Sequence, residues 1–284
     1  MSNQFEYNEA FSRNIGLLTP EEQEKLRTFT IAIPGMGGVG GSHLISLVRQ
    51  GFEKFKIADL DQYELKNFNR QYGARLDTID RPKVEVMKEE ALKINPHCQI
   101  EVYPEGISVE NIDGFLSNVD LSIDAIDAFS PDVRRMFINE SVSRNIPAVS
   151  AGPIGFGTAF MIFMPGGATF DEHFSMHDGM SFQDKMINFV VGLVPKMLQR
   201  SYMNRTNIEE KRGPSSIGSI NLCAGIVDIY AIKILLKKGS VKAIPYYHQF
   251  DVMKERYVSK RLWWGNKNPL QRIKILLASH LVKD

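Results

Sequence analysis

Four glycines follow the first strongly apolar run of the sequence and precede a segment with helical periodicity. Gly35, Gly37 and Gly40 have the spacing G-x-G-x-x-G, with Gly38 inside the same turn. In this spacing the glycines allow a tight turn, expose backbone N–H groups to a phosphate and let the helix pack closely on the strand. The helix N-terminus adds orphan N–H groups and a partial positive charge. We therefore predict that this turn binds the phosphates of a nucleotide.

An acidic residue ends the second apolar run, which reads KFKIADLD. Asp59 stands where a carboxylate accepts hydrogen bonds from ribose hydroxyls in dinucleotide-binding folds. The glycine spacing alone is weak support, but the strand, the helix and the acid occur in the order that nucleotide binding requires. The pattern therefore favours a nucleotide site within residues 29–71.

Further charged side chains follow the ends of later strands. The polar loop Glu64–Gln71 leaves the carboxyl end of the second strand, where ligands bind in doubly wound sheets. Asp80 is predicted to cap the next helix, which places Lys83 near a helix N-terminus, where the cation favours a bound anion. Asp124 and Asp127 end the fourth strand and are candidate Mg²⁺ ligands. The alternative for Asp127 is that it caps the following helix.

The overall composition excludes several classes of protein. The 284 residues carry a formal net charge of +1, which argues against a general attraction to nucleic acid or membranes. The two cysteines, Cys98 and Cys223, form no CxxC pair of the kind that indicates a zinc site. No apolar run reaches the ~20 residues of a membrane span, and the polar first residues do not resemble a signal peptide. We expect a cytoplasmic protein without membrane contact.

Strands and helices alternate up to about residue 165. This alternation predicts a Rossmann-like α/β fold, a mainly parallel sheet with helices on both faces. A helical insert is predicted at about 166–216, followed by an apolar helix at 219–239. The remainder, about 240–284, reads as antiparallel strands and an amphipathic C-terminal helix. We predict that residues 1–284 form one domain.

Three features of the second half have two interpretations each. His173 and His177 are spaced i, i+4 and are either metal ligands or solvated loop histidines. Cys223 lies within an apolar helix, so a buried structural thiol is favoured over a nucleophile. The basic tail, with Trp263 and Trp264, either contacts RNA or another anionic surface, or it is a packed helix whose cations reach into solvent.

Four motifs in fixed order, GMGGVG, DLDQYELKNFNRQ, DRPK and DAID, resemble the ThiF/MoeB-type adenylating enzymes of the ubiquitin-activating-enzyme superfamily. The resemblance covers about Arg13–Pro165 and again Gly218–Lys238. It implies that the chain binds ATP and Mg²⁺. It also implies attack by a carboxylate, the C-terminus of a ubiquitin-like protein or a peptide, on the α-phosphate of ATP. An acyl-adenylate and pyrophosphate would result.

The resemblance also assigns individual residues. It places the nucleotide on the four glycines of the turn and on Asp59, Asp61, Asn67, Arg70 and Lys83. Arg70 and Lys83 would contact phosphate oxygens during catalysis, and Asp127 would bind Mg²⁺. Arg13 matches an arginine that reaches the partner's site in family dimers, which implies a homodimer.

Two departures from the family pattern limit which of the family's properties we expect in this chain. Many relatives carry two CxxC pairs for zinc, whereas the corresponding stretch here, NKNPLQRI, has no cysteine, so we expect no zinc. The family's crossover-loop cysteine has no counterpart within 166–216. We therefore expect adenylation without a thioester on this chain, and transfer of the activated carboxylate to a separate nucleophile.

Three alternative functions remain open from the sequence. The motifs NFNRQ and DAID also resemble tRNA threonylcarbamoyladenosine dehydratases, which adenylate a carboxylate on a tRNA base. The basic tail permits tRNA binding, but the near-neutral charge argues against it. The second alternative is a non-catalytic module that binds a nucleotide, NAD or a partner peptide. The third, an NAD-dependent oxidoreductase, would explain the glycines and Asp59. It would not explain why Arg70, Lys83 and Asp127 occur together.

Overall fold

A computed structural model describes residues 5–203 and 213–281. Eight strands form one sheet in the order β3-β2-β1-β4-β5-β6-β7-β8. The strands are β1 Thr30–Pro34, β2 Lys54–Ala58, β3 Gln99–Tyr103, β4 Leu121–Asp124, β5 Ala148–Ile154, β6 Gly157–Phe163, β7 Tyr246–Asp251 and β8 Arg256–Arg261. The first five strands pair in parallel, and β6, β7 and β8 continue the sheet in antiparallel pairing. The predicted α/β fold, with a parallel sheet and C-terminal antiparallel strands, is confirmed.

Ten α-helices accompany the sheet within the described ranges. They are α1 Tyr7–Ala10, α2 Pro20–Leu26, α3 Gly38–Gln50, α4 Lys83–Ile94, α5 Ile112–Leu116, α6 Pro131–Ser143, α7 Phe170–Phe174, α8 Phe182–Leu193, α9 Ile217–Leu235 and α10 Pro269–Leu281. The strand residues alternate between two cores, because successive side chains of a strand point to opposite faces. Ile31 and Ile33 join the core under α3, α4 and α9, whereas Ala32 joins the core under α5–α8. Helices therefore cover both faces, as predicted.

The N-terminal segment is fixed at the C-terminal end of α3. The Tyr7 hydroxyl donates to the Gly51 carbonyl at 2.8 Å, and Asn14 Nδ2 donates to the Gln50 carbonyl at 3.1 Å. Thr19 caps α2 in a capping box with Glu22. This end of α3 is the end away from the glycine turn.

The helix α9 closes one face of the sheet. It packs against α3, β5 and β6 and contributes Cys223, Val227 and Ala231 to the core. In the described part of the chain it is the one helix that is long and apolar enough to cross a membrane by length and composition. About 33% of this helix is buried, and core helices can meet the same criterion of length and composition. Its N-terminal turn reaches the glycine turn, as the next section describes.

Candidate functional site

The glycine turn joins β1 to α3 with almost no space for side chains. Gly35 has a φ of +96°, and a Cβ on it would lie 2.2 Å from the Ala125 carbonyl oxygen. A Cβ on Gly40 would lie 1.7 Å from the Gly35 carbonyl oxygen. These two glycines are therefore required by a left-handed turn and by close packing between the helix and the strand. The contact with Ala125 also brings the end of β4 against the turn.

Gly37, which precedes the first turn of α3, faces open space. A Cβ on it would meet only the Gln71 Nε2 atom, at 3.7 Å. The first N–H groups of a helix have no partner within the helix. An anion that lies over Gly37 and Gly38 can accept hydrogen bonds from them.

Asp59 directly follows β2 and organises the turn. Its carboxylate accepts hydrogen bonds from the Met36 N–H at 2.5 Å and the Asp61 N–H at 2.8 Å. Burial raises the pKa of Asp59, and the nearby cation Lys83 partly opposes this shift. A carboxylate oxygen accepts more than one hydrogen bond, so Asp59 can hold the turn and a ribose hydroxyl together.

Lys83 is the first residue of α4 and is only 5% exposed. Its Nζ atom lies 2.8 Å from Oδ2 of Asp61, and its N–H donates to the Asp61 carbonyl at 3.0 Å. The prediction that Asp80 caps this helix is wrong, because Pro82 occupies the N-cap and Asp80 has a φ of +62°. The N–H of Asp80 donates to the Tyr63 carbonyl, so Asp80 belongs to the preceding loop.

The loop Glu64–Gln71 reaches the same turn from the other side. Asn67 is buried, and its Oδ1 accepts a hydrogen bond from the Glu64 N–H at 2.9 Å, which fixes the loop. Arg70 is half-buried, and its Nη1 donates to the Lys66 carbonyl at 2.9 Å. A Cβ on Gly38 would lie 3.5 Å from the Arg70 carbonyl oxygen and 2.6 Å from Cδ1 of Ile220. The loop and the start of α9 therefore enclose the N-terminus of α3.

Gln71 is a candidate site residue that the sequence reasoning missed. It is 8% exposed, and its buried Oε1 has no hydrogen-bond partner among the described residues. A buried amide oxygen without a partner is costly, and a bound ligand that donates a hydrogen bond would satisfy it. The sequence could have indicated Gln71, because it directly follows Arg70 in the motif DLDQYELKNFNRQ.

The two acids at the end of β4 have different environments. Asp124 is buried, and Oδ2 accepts hydrogen bonds from Arg134 Nε at 2.8 Å and Ser150 Oγ at 2.6 Å. Asp127 is exposed, and its Oδ1 accepts from the Phe129 N–H at 3.3 Å. The α6 N-cap is Ser130, so Asp127 does not cap that helix. Asp124 is thus held by protein groups, whereas the Asp127 side chain is exposed to solvent.

Residues 11–272 match the ThiF family. The chain belongs to this family. The tRNA threonylcarbamoyladenosine dehydratase of Bacillus subtilis is 34% identical to it over 142 residues, which are 50% of this chain and 55% of the relative. The ThiS adenylyltransferase of Escherichia coli, which acts on a sulfur carrier protein, is 29% identical over 158 residues, or 55% and 62% of the two chains. The chain therefore spans about half the length of such curated relatives.

Solved structures share the fold of this ThiF-family chain. The structure of E. coli MccB with ATP has a TM-score of 0.68 and 19% identity, and covers 94% of this chain and 76% of MccB. PaaA has a TM-score of 0.67 and 20% identity, and covers 92% and 77%. At these identities the likeness establishes the architecture alone.

Arg13 does not join the other predicted residues of the ThiF-type site. It is exposed and lies in a 3₁₀ turn beside Asn14, whose side chain binds Gln50. The helix α3 spans 13 residues from Gly38 to Gln50, or about 18 Å at 1.5 Å per residue. That distance exceeds the reach of an arginine side chain, so Arg13 is remote from the glycine turn of its own chain.

The candidate metal ligands and nucleophiles of the second half remain outside the site. The interpretation as a solvated loop histidine is wrong for His173, which is buried in α7, where burial lowers its pKa to about 4. His177 is exposed, and its ring bonds to the Asp178 carbonyl. Burial raises the pKa of both Cys98 and Cys223 to about 12, so both are thiols at neutral pH. Over 5–203 and 213–281, no three His, Cys, Asp or Glu residues form a group that could hold a metal.

Proposed function

We propose that the chain uses ATP to adenylate a carboxylate. A carboxylate oxygen attacks the α-phosphorus of ATP, and the bond from that phosphorus to the bridging oxygen of pyrophosphate breaks. The products are an acyl-adenylate and pyrophosphate. One observation carries the proposal, namely that the Asp59 strand end, the Arg70 loop and Ala125 at the end of β4 all border the glycine turn, with the Lys83–Asp61 pair beside Asp59.

The nucleotide is assigned to the open side of the glycine turn. The phosphates lie over Gly37 and Gly38, where helix N–H groups donate to them. Asp59 accepts from a ribose hydroxyl, and the unpartnered Oε1 of Gln71 accepts from a donor on the nucleotide. E. coli MccB, which shares this fold, has been crystallised with ATP.

The cations of the site oppose the charge that develops on phosphate oxygens. Lys83 is fixed at the start of α4 by Asp61, and Arg70 and Asn67 contribute from the loop. Fixed donors of this kind typically contribute about 3–4 kcal/mol each to stabilising a transition state. Displacement at phosphorus requires alignment and charge neutralisation rather than a covalent catalyst, which suits this set of residues.

Asp127 suits a magnesium ion that arrives with ATP. Mg²⁺ is held by one or two carboxylates, water and substrate phosphates rather than by a cage of protein ligands. One exposed carboxylate beside a phosphate site meets that need. When bound, Mg²⁺ would neutralise phosphate charge.

The acyl substrate in this proposal is the C-terminus of a ubiquitin-like protein or peptide. The ThiS adenylyltransferase of E. coli acts on a sulfur carrier protein, and MccB has been crystallised with the peptide MccA. The chain has two cysteines, Cys98 and Cys223, both buried. The activated carboxylate therefore passes to a separate nucleophile.

The position of Arg13 supports a homodimer. Because α3 separates it from the glycine turn of its own chain, Arg13 can contact phosphates only in a neighbouring subunit. The helix α9 also exposes Ile217 (46%) and Ile229 (58%). In this proposal each site consists of one subunit's strand ends and its neighbour's Arg13.

A second candidate function is adenylation of a carboxylate on tRNA. The dehydratases of B. subtilis and Haemophilus influenzae are 34% and 37% identical to this chain over its matched part. The chemistry at ATP would be the same, and only the acyl substrate would differ. The residues that bind ATP therefore support both candidates.

Exchange of labelled pyrophosphate into ATP tests the proposal. The wild-type chain is assayed alone, with a small protein or peptide that ends in Gly-Gly, and with tRNA that carries threonylcarbamoyladenosine. Exchange that depends on the peptide supports the first function, and exchange that depends on tRNA supports the second. If the chain binds NAD and not ATP, both proposals are wrong.

A further inference from the structure

The last helix, α10, exposes a continuous stripe of apolar side chains to solvent. A surface helix normally buries its apolar stripe and exposes its polar face. In α10 the aliphatic side chains are exposed, at 69% for Leu270, 55% for Ile273, 59% for Leu276 and 59% for Leu277. At 100° per residue these four occupy one continuous arc of the helix surface.

Two polar side chains on the inward side of α10 bind the end of another helix. Gln271 is 1% exposed, and its Nε2 donates to the Val191 carbonyl at 2.9 Å. Lys274 Nζ donates to the Pro195 carbonyl at 2.6 Å. These carbonyls lie at and just beyond the end of α8, where helix C=O groups lack partners. The capping explains the inward polar groups, but it does not explain four aliphatic residues in solvent.

Two exposed tryptophans precede the aliphatic arc along the chain, between β8 and α10. Trp263 is 56% exposed and Trp264 is 71% exposed, and both directly precede the helix region. The Arg261 guanidinium stacks 3.9 Å from the Trp263 ring centroid. We call the side chains of Trp263, Trp264, Leu270, Ile273, Leu276 and Leu277 the apolar ridge.

The charge around the ridge has one sign. Residues 256–281 contain six Lys or Arg residues and no Asp or Glu, although the whole chain has a net charge of only +1. Arg261, Lys267 and Arg272 are exposed beside the ridge. A second copy of the chain would bring these like charges together across a two-fold axis, which disfavours self-association. Nucleic acid would leave the aliphatic side chains without partners.

We propose that the apolar ridge docks on an anionic lipid surface. The aliphatic arc and the tryptophan rings enter the boundary between headgroups and acyl chains, and the flanking cations lie over anionic headgroups. A helix with an apolar face, adjacent Trp residues and Lys/Arg at its flanks is the usual arrangement of interfacial helices. Exposed cations near an anionic membrane surface strengthen the binding. The sequence alone predicted no membrane contact, because it did not reveal which face of α10 is exposed.

Tryptophan fluorescence provides a direct test, since the two tryptophans of the chain both lie in the ridge. The full chain is mixed with phosphatidylcholine vesicles with and without phosphatidylglycerol, and binding is also measured by co-sedimentation. We expect a blue shift and co-sedimentation only with the anionic vesicles, and both should weaken at high salt. An emission spectrum that is unchanged by anionic vesicles would overturn the proposal. A blue shift that depends on protein concentration without lipid would overturn it too, because it would mean that a second copy covers the ridge.

Two double variants distinguish vesicle binding through the apolar ridge from nonspecific vesicle binding. Ile273→Glu with Leu277→Glu should weaken vesicle binding about tenfold or more, because two charges would have to enter the interface. Leu17→Glu with Leu76→Glu makes the same change at residues that are 81% and 80% exposed elsewhere, and should bind as the wild type does. The proposal is contradicted if both double variants lose vesicle binding equally, or if Ile273→Glu with Leu277→Glu loses none. Thermal melting confirms that each variant is folded.

Discussion

Lys83 Nζ lies 2.8 Å from Asp61 Oδ2, at the first turn of α4 and beside the carboxylate of Asp59. The lysine is 5% exposed, whereas the side chain of Asp61 is 59% exposed. A buried cation at a helix N-terminus is electrostatically unfavourable without an anion. Asp61 supplies one anion, and its exposure leaves the lysine accessible to a phosphate from the solvent side.

Lys83→Met should lower the rate of ATP–pyrophosphate exchange by about 10²–10³, the usual effect of removing one preorganised donor. Lys93→Met is the matched control, because Lys93 lies on the same helix with a side chain that is 62% exposed. The exchange rate at saturating ATP is compared for the two variants. Equal rates would remove Lys83 from the mechanism.

Alanine substitution of Asp127 should reduce exchange activity, whereas alanine substitution of Asp124 should reduce stability. Asp127→Ala should reduce Mg²⁺-dependent exchange about a hundredfold or more, with a change in unfolding free energy within about 0.5 kcal/mol, since the residue is exposed. Asp124→Ala should instead lower the free energy of unfolding by about 3–5 kcal/mol, because it leaves the buried Arg134 unpaired. Urea unfolding and exchange assays distinguish the two. Full exchange activity in Asp127→Ala would contradict its assigned role.

Mixed dimers test whether Arg13 acts in the neighbouring subunit. Arg13→Ala and Asp127→Ala should each be inactive alone. In an equal mixture, half of the dimers are mixed and each has one intact site, so about a quarter of the wild-type activity should return. Lys83→Met mixed with Asp127→Ala is the control and should restore none, because both residues serve their own subunit. No recovery in the first mixture would mean that the subunits do not share their sites.

The sequence predicted the parts of the site that depend on local order. The glycine turn, Asp59 after β2 and Lys83 at the start of α4 follow from patterns within a few residues of each. The strand and helix alternation likewise predicted the parallel sheet. These features are recoverable because strand period, helix period and turn chemistry act over short distances.

Features that depend on distant partners were not predicted. Asp80 has the residue type of a cap, but its N–H binds the Tyr63 carbonyl and its φ is positive. Gln71 acquires significance only because the loop places its amide over Gly37. The inward positions of Gln271 and Lys274 on α10 depend on carbonyls near the end of α8, which are about 80 residues away along the chain. Helical periodicity identifies a helix, but not which face the tertiary structure buries.

The buried carboxylate of Asp228 should make the stability of the protein depend on pH. It lies on α9, its buried Oδ1 has no hydrogen-bond partner in the described part of the chain, and burial raises its pKa from 3.8 to about 7. Between about pH 4 and pH 7 the folded chain retains a proton that the unfolded chain loses. The contribution of Asp228 to the free energy of unfolding therefore decreases as the pH rises through that window. Above about pH 7 this stabilising contribution is lost.

Asp228→Asn should remove this decrease. At 1.36 kcal/mol per pKa unit the full shift corresponds to about 4 kcal/mol, and partial exposure of the side chain reduces the expected gain at pH 8 to about 1–3 kcal/mol. At pH 4 the variant and the wild type should be nearly equally stable. Asp113→Asn controls for the loss of a carboxylate, because the Asp113 side chain is 83% exposed. Urea unfolding at pH 4 to pH 8 measures the effect. Parallel stability curves for wild type and Asp228→Asn would show that the buried carboxylate finds a partner or solvent in the folded protein.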